Sequence, residues 1–160
     1  MEETKRLRLY PASDSQMEAM IAAAPDPELQ KAYGEMLALG RQNPAQRDWY
    51  AAWIIERKDG TPVGDLCFKG LSAEGIAEIG YGIDEAFQGR GCATEAVQGA
   101  LRWAFRHPEV RAIEAETDPG NAASRRVLEK CGFLPNGTVG EEGPRFTLTR
   151  ERAAELLKEV

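Results

Sequence analysis

The stretch Gln88-Gly89-Arg90-Gly91-Cys92-Ala93-Thr94 lies between a strand-like run and a long segment with helical periodicity. Its glycines, Gly89 and Gly91, carry no side chain where the backbone has to turn. Successive N–H groups can then point into one concavity that opens onto a helix N-terminus, where an anion binds favourably. Arg90 adds a mobile cation. We therefore predict a phosphate-binding loop at residues 88–94, called the anion loop below.

The spacing of the glycines separates three kinds of phosphate loop. A Walker loop requires Gly, four residues and then Gly-Lys-Ser/Thr, and no such run occurs. A dinucleotide fingerprint G-x-G-x-x-G that starts at Gly89 places Thr94 at the third glycine. The same fingerprint started at Gly80 places Glu85 there. The pattern that remains is Gln/Arg-x-x-Gly-x-Gly/Ala.

Gln88, Gly91 and Ala93 fill this remaining pattern, which resembles the acetyl-CoA loop of the GNAT superfamily of N-acetyltransferases. A second patch strengthens the resemblance. Asn121–Ser124 and Val127–Phe133 are similar to the family's later helix and its Gly-Phe exit, and the two motifs occur in family order. Serine after the asparagine, and leucine where many members have tyrosine, are most similar to the branch that includes ribosomal-protein N-terminal acetyltransferases.

The resemblance implies an α/β fold, with a mixed and mostly antiparallel sheet flanked by helices. The strands around Glu78–Asp84 and Val110–Thr117 are expected to form its one parallel pair and to separate at the coenzyme site. A strand–helix–strand order over this distance independently implies a right-handed parallel crossover. We find no linker that would divide residues 1–160, so we predict a single N-acetyltransferase domain.

The resemblance also implies which residues contact acetyl-CoA. We expect backbone groups around the strand end and the anion loop, together with the first turn of the later helix, to bind it. The expected contacts are Gly82, Ile83, Asp84, Gln88, Gly89, Arg90, Gly91, Cys92, Ala93, Thr94, Asn121 and Ser124. No metal site is expected, because Cys67, Cys92 and Cys131 have no C-x-x-C spacing.

Glu78 and Ser124 are the predicted catalytic residues. Period-two alternation places Glu78 on one strand face with Gly80 and Gly82, beside the expected thioester. A lysine-type amine of pKa about 10.4 needs roughly 4.6 kcal/mol to lose its proton at pH 7, whereas an α-amine needs only about 1. Glu78 is therefore the predicted base, directly or through water. Leu128 lacks the proton that a tyrosine would give the departing thiolate, so we predict that Ser124 supplies it, with Tyr81 or water as alternatives.

Composition limits the partners. The formal net charge of −6 argues against nucleic acid and favours a cationic substrate such as an amine. No apolar segment has the length of a signal peptide or a membrane span, so we expect a cytoplasmic protein without a membrane partner. The sequence leaves a homodimer open. The acceptor is also open among a protein N-terminus, a polyamine, an aminoglycoside and another small amine.

Two other functions compete with acetyl transfer. A non-catalytic acetyl-CoA or CoA sensor would need the same loop, and only thiol release with an amine distinguishes it from an enzyme. A nicotinamide or flavin oxidoreductase lacks its third glycine, although Glu114 lies about 20 residues downstream, as a ribose-binding acid would.

Local patterns add three expectations. Ser13 with Gln16, and Asp26 with Pro27, predict two helix starts. The aromatic and β-branched run Trp49–Arg57 predicts a strand. After the anion loop, helical spacing puts Glu95 on the solvent side of the helix together with Gln98, Arg102 and Arg106.

Overall fold

The computed structural model describes residues 1–157; residues 158–160, the end of the predicted domain, lie outside the described part. The strands are β1 (Glu2–Glu3), β2 (Leu7–Pro11), β3 (Ala52–Arg57), β4 (Pro62–Phe68), β5 (Ile76–Ile83), β6 (Ala112–Glu116), β7 (Leu134–Val139) and β8 (Pro144–Thr149). The helices are α1 (Asp14–Ala23), α2 (Pro27–Gln42), α3 (Arg47–Tyr50), α4 (Cys92–Phe105), α5 (Ala122–Lys130) and α6 (Arg150–Leu157).

The strands of the described residues form one sheet in the order β1-β2-β3-β4-β5-β6-β8-β7. Among the strands of residues 1–157, only β5 and β6 run parallel, and they pair at Ile76↔Ala112, Ala77↔Ile113 and Glu78↔Glu114. Beyond Glu78 the strands separate, although β5 continues to Ile83. The predicted mixed sheet, with one splayed parallel pair, is confirmed.

Each face of the sheet carries its own apolar cluster. Helix α4 packs on one face through Ala96, Val97, Ala100, Leu101 and Ala104, all of them fully buried. Helices α1 and α2 cover part of the other face around Met17 and Leu37. Gly99 lets α4 approach β2 closely, because a Cβ there would lie 2.7 Å from Leu9 Cδ1. The α4 side and the α1–α2 side are therefore separated by the sheet itself.

The first helices begin where the sequence predicts. Ser13 and Gln16 form a reciprocal capping box, and Asp26 accepts a hydrogen bond from the Leu29 N–H. The strand predicted from Trp49 is wrong at its start, because Arg47–Tyr50 is a helical turn and β3 begins at Ala52. Trp49 is buried there against other aromatic rings. Tertiary packing overrides its strand propensity.

The predicted solvent face of α4 is also wrong at its first turn. The side chain of Glu95 is only 17% exposed, because residues 2–7 cross over this part of the helix. Thr4 and Arg6 both hydrogen-bond to the Glu95 carboxylate. Further along the helix, Arg102 and Arg106 pair with Glu2 of β1. A segment distant in sequence thus covers a face that helical periodicity assigns to solvent.

Candidate active site

The anion loop has the backbone that its glycines predict. Gly89 and Gly91 adopt φ values of +76° and +79°, a backbone region that residues other than glycine rarely adopt. Gly91 is the N-cap of α4 and no side chain caps this end. Within residues 1–157, the backbone N–H groups from Gly89 to Thr94 have no protein acceptor. Six consecutive donors are therefore available to a ligand at a helix N-terminus.

Five of these six donors belong to residues that border a cavity of about 580 Å³, which we call the coenzyme cavity after its predicted ligand. Of the twelve predicted contact residues, all but Asp84 and Arg90 line it. The other lining residues are Tyr81, Phe87, Ala123, Arg126, Val127 and Lys130. Arg126 and Lys130 are four residues apart on α5, a spacing that places both on one helix face and could have been used to predict them. The cavity joins the anion loop to the gap between β5 and β6.

The gap exposes backbone groups of β5. The Lys69 N–H donates to the Glu78 carbonyl, and the Asp84 N–H donates to the Val63 carbonyl. Even-numbered residues of β5 therefore direct their backbone groups towards β4, and the intervening residues direct theirs the other way. By this alternation, the N–H groups of Tyr81 and Ile83 face the gap. Gln88 Nε2 donates a hydrogen bond to the Ile83 carbonyl oxygen at 2.8 Å, which connects the anion loop to the strand.

Tyr81 and Ser124 meet inside the coenzyme cavity. Asn121 caps α5 by accepting a hydrogen bond from the Ser124 N–H at 2.9 Å. Ser124 Oγ lies 3.1 Å from the Tyr81 hydroxyl. Burial raises the pKa of Tyr81, while the hydrogen bond with Ser124 opposes the rise and Cys131 adds to it. The phenol is therefore protonated at neutral pH, and the two hydroxyls form a pair able to pass on a proton.

Glu78 lies on the opposite face of the sheet and does not line the coenzyme cavity. Its carboxylate is 2.7 Å from Lys69 Nζ and 3.1 Å from Arg145 Nη2. Arg145 also pairs with Glu114 at 2.7 Å and with Glu116. We call these five side chains the carboxylate network. Its three carboxylates and two cations leave one negative charge in excess.

The same face carries a second acidic group that the sequence did not single out. The Tyr33 hydroxyl of α2 donates to Asp65 Oδ2 on β4 at 2.6 Å. Burial raises the pKa of Asp65, the Tyr33 hydrogen bond opposes the rise, and the charge of Asp84 adds to it. Asp65 pairs with Gly82 across the sheet, and a Cβ built at Gly82 meets nothing within 4 Å. The sequence signal that could have indicated Asp65 is the period-two alternation of this strand, which places Asp65 on one face with Cys67 and Lys69.

Among residues 1–157, no group of three or more His, Cys, Asp or Glu side chains is arranged to hold a metal ion. No helix in this part of the chain combines the length and apolar character needed to cross a bilayer.

Comparison with known proteins identifies the family. Residues 6–134 match the acetyltransferase (GNAT) domain. The chain belongs to the GNAT acetyltransferase family. An uncharacterized N-acetyltransferase of Bacillus subtilis, YjdG, is 35% identical over 58% of this chain and 56% of its own length. The putative ribosomal N-acetyltransferase YdaF of B. subtilis is 39% identical over 38% of this chain and 33% of its own length. The chain thus matches about half or less of these two relatives.

Solved GNAT structures share the whole fold. Spermidine N-acetyltransferase of Vibrio cholerae, in complex with CoA and spermine, superposes with a TM-score of 0.73 at 16% identity. The match covers 94% of this chain and 99% of that one. At such identity the likeness concerns the fold alone. The family and the fold predicted from sequence are confirmed, and the relatives include a putative ribosomal N-acetyltransferase, in line with the branch resemblance. The activity and the roles of individual residues remain predictions.

Proposed function

We propose that this protein transfers the acetyl group of acetyl-CoA to a primary amine by direct attack within a ternary complex. The observation that supports the proposal best is the row of unpaired N–H groups in the anion loop, because all but that of Arg90 belong to residues lining a cavity that also includes the splayed end of β5. Charge-assisted hydrogen bonds of about 1.5–3 kcal/mol each, plus about 0.3–1 kcal/mol from the helix dipole, suit a pyrophosphate.

The coenzyme arm would run from the anion loop along the gap in the sheet. Asn121 and Ser124 of α5 border this path, and Arg126 and Lys130 add positive charge near it. An acetyl carbonyl beside β5 could accept from the N–H of Tyr81, which faces the gap by strand alternation. Ser124 then protonates the departing thiolate, with the Tyr81 hydroxyl at 3.1 Å able to replace the proton. A thiol of pKa about 8.5 leaves readily enough that this help is modest.

The amine would approach from the opposite face of the sheet. The carboxylate network and Asp65 make that face acidic, and an amine arrives as a cation. Glu78 lies three residues before Tyr81, about 10 Å along an extended strand. Since Lys69 and Arg145 already hold its carboxylate, we propose that Glu78 takes the amine proton through water. Glu114 and Glu116 are the reserve bases in the same network.

Among acceptors we favour an α-amine, such as a protein N-terminus. Branch similarity to a putative ribosomal N-acetyltransferase supports this choice, and an α-amine needs only about 1 kcal/mol to deprotonate at pH 7. A small-molecule amine is the other acceptor class of the proposal. A cytoplasmic location and a homodimer are parts of the proposal that fit this role.

The decisive experiment measures free thiol release from acetyl-CoA with a panel of α-amines, polyamines and aminoglycosides. Coenzyme binding is measured separately by calorimetry. Thiol release that depends on an amine supports the proposal, and a preference for peptides with free N-termini supports the α-amine. Tight coenzyme binding without release by any amine would instead favour a sensor of the coenzyme. Absence of coenzyme binding would contradict the proposal altogether.

A further inference from the structure

The N-terminal segment reaches the back of the anion loop through one side chain. Arg6 Nη1 donates to the Arg90 carbonyl at 2.9 Å. The same guanidinium donates through Nε to Glu95 Oε1 at 2.7 Å, and the Arg6 N–H donates to Glu95 Oε2 at 2.7 Å. Thr4 Oγ1 completes the contact by donating to Glu95 Oε2 at 2.5 Å. One guanidinium thus joins the loop to the first turn of α4.

Arg6 lies on the side of the loop away from the coenzyme cavity. Together with Arg90 it lines a separate cavity of about 440 Å³, whereas neither residue lines the coenzyme cavity. Phe87 and Cys92 line both cavities, so the anion loop is the wall between them.

The direction of the Arg90 carbonyl determines the direction of the next N–H. The peptide bond between Arg90 and Gly91 is trans, so the Arg90 carbonyl and the Gly91 N–H point in opposite directions. Holding the carbonyl towards Arg6 therefore turns the Gly91 N–H towards the coenzyme cavity. Gly91 needs such a restraint more than other residues would, because a glycine has the widest choice of backbone conformations.

We propose that Arg6 is a positioning residue for coenzyme binding, which acts by fixing the Arg90–Gly91 peptide so that its N–H faces the pyrophosphate. This inference rests on the proposed binding of acetyl-CoA at the anion loop. Arg6 also pairs with Glu95, a carboxylate in the first turn of α4 that would otherwise repel an anion at that helix end. The peptide and the carboxylate are two separate routes for an effect, and a mutant cycle distinguishes them.

The test compares Arg6→Met with Arg8→Met, which makes the same change of charge nearby. Arg8 pairs with Glu3 and Glu56 and forms no hydrogen bond or ion pair with the anion loop. We expect Arg6→Met to weaken acetyl-CoA binding in calorimetry by roughly 10-fold or more, the size of one lost charge-assisted hydrogen bond. Arg8→Met should bind as the parent does. Equal affinity of Arg6→Met and the parent, both folded, would overturn the inference.

Two further comparisons exclude a merely structural role. S-acetylpantetheine lacks the pyrophosphate, so its kcat/KM should be the same in Arg6→Met and the parent, whereas general damage would lower both substrates alike. Adding Glu95→Gln should leave most of the Arg6→Met defect in place. Full rescue by Glu95→Gln would mean that Arg6 acts only by neutralising Glu95, and would overturn the role of the peptide.

A second variant covers the case in which Arg6→Met does not fold. Lysine keeps the charge beside Glu95 but has no planar fork to bond Glu95 and the Arg90 carbonyl together. Arg6→Lys should therefore weaken acetyl-CoA binding severalfold, and parental affinity would contradict the inference. If the parent protein itself fails to bind acetyl-CoA, the proposed function has failed, and that result is distinct from an effect of Arg6.

Discussion

The two faces of the sheet beside β5 present different chemical groups, backbone N–H groups on one face and polar side chains on the other. On the coenzyme side, the anion loop offers backbone N–H groups whose directions depend on glycine torsions and on one strand gap. On the opposite side, the carboxylate network and the Tyr33–Asp65 pair are made of charged and polar side chains from β4, β5, β6, β8 and α2. A backbone site suits an invariant ligand such as a pyrophosphate. A side-chain network can change residue by residue, which suits the choice of acceptor.

The largest expected effect tests the acidic face. Glu78→Gln should lower the rate by about 10²–10⁴-fold with a lysine-type amine and by less with an α-amine, because the acceptor stays protonated. Raising the pH should partly restore the rate, since solvent then removes the proton. Coenzyme affinity should not change, because Glu78 is not part of the coenzyme cavity. Initial rates against pH, with both acceptor classes, provide the measurement.

Glu114→Gln is the matched control, because Glu114 pairs with the same Arg145 guanidinium. A selective loss in Glu78→Gln supports the base. Equal losses in the two variants would show that the network acts as a unit. A parental rate and pH profile in Glu78→Gln would mean that Glu78 is structural.

The next largest effect tests the backbone face. Gly91→Val should weaken acetyl-CoA binding by about 100-fold or more, because a β-branched residue resists the φ of +79° that directs the neighbouring N–H groups. Calorimetry on the folded variant measures the loss. Gly137→Val is the control, since Gly137 has a φ of +82°, has nothing within 4 Å of its Cβ position and is not part of the coenzyme cavity. Unchanged affinity in folded Gly91→Val would remove the anion loop from the coenzyme site.

The contrast between a local backbone site and a side-chain network from distant strands explains what could be predicted from the sequence. Glycine spacing is a local signal and the family resemblance carries the sheet topology, so the turns of the anion loop and the splayed strands were predicted correctly. The coenzyme contacts of the cavity residues remain predictions. The ion pairs of Arg145 join strands far apart in sequence, and no local pattern indicates them. Glu95 was assigned to solvent because periodicity says nothing about a distant segment that crosses the helix. Trp49 was assigned to a strand because propensity ignores its aromatic neighbours.

A smaller effect concerns the proton for the leaving thiolate. Ser124→Ala should lower kcat by roughly 10-fold, since a thiol of pKa about 8.5 leaves without much assistance. Tyr81→Phe should have a weaker effect if Ser124 is the direct donor and Tyr81 only replaces its proton. Single-turnover rates at saturating acetyl-CoA measure both variants. A larger loss in Tyr81→Phe than in Ser124→Ala would reverse these two roles.

The smallest effect is on stability and concerns Asp65. Burial raises the pKa of this carboxyl, with the charge of Asp84 adding to the rise and the Tyr33 hydrogen bond opposing it. The folded protein therefore holds the proton more tightly than the unfolded chain does. The stabilising contribution of protonated Asp65 is fully present below the ordinary carboxyl pKa of about 3.9, and it is lost as the pH rises through the higher folded value.

Asp65→Asn removes this titration, so its stability relative to the parent should increase as the pH rises from about 4 towards neutrality. Urea unfolding of both proteins across that range measures the difference. Tyr33→Phe is the companion variant, because it deletes the hydrogen bond that favours charged Asp65 and should extend the parental loss of stability to higher pH. Parallel stability curves for the parent and Asp65→Asn would mean that Asp65 ionises normally in the folded protein. A normally ionised Asp65 would then add its negative charge to that of the carboxylate network on the same face.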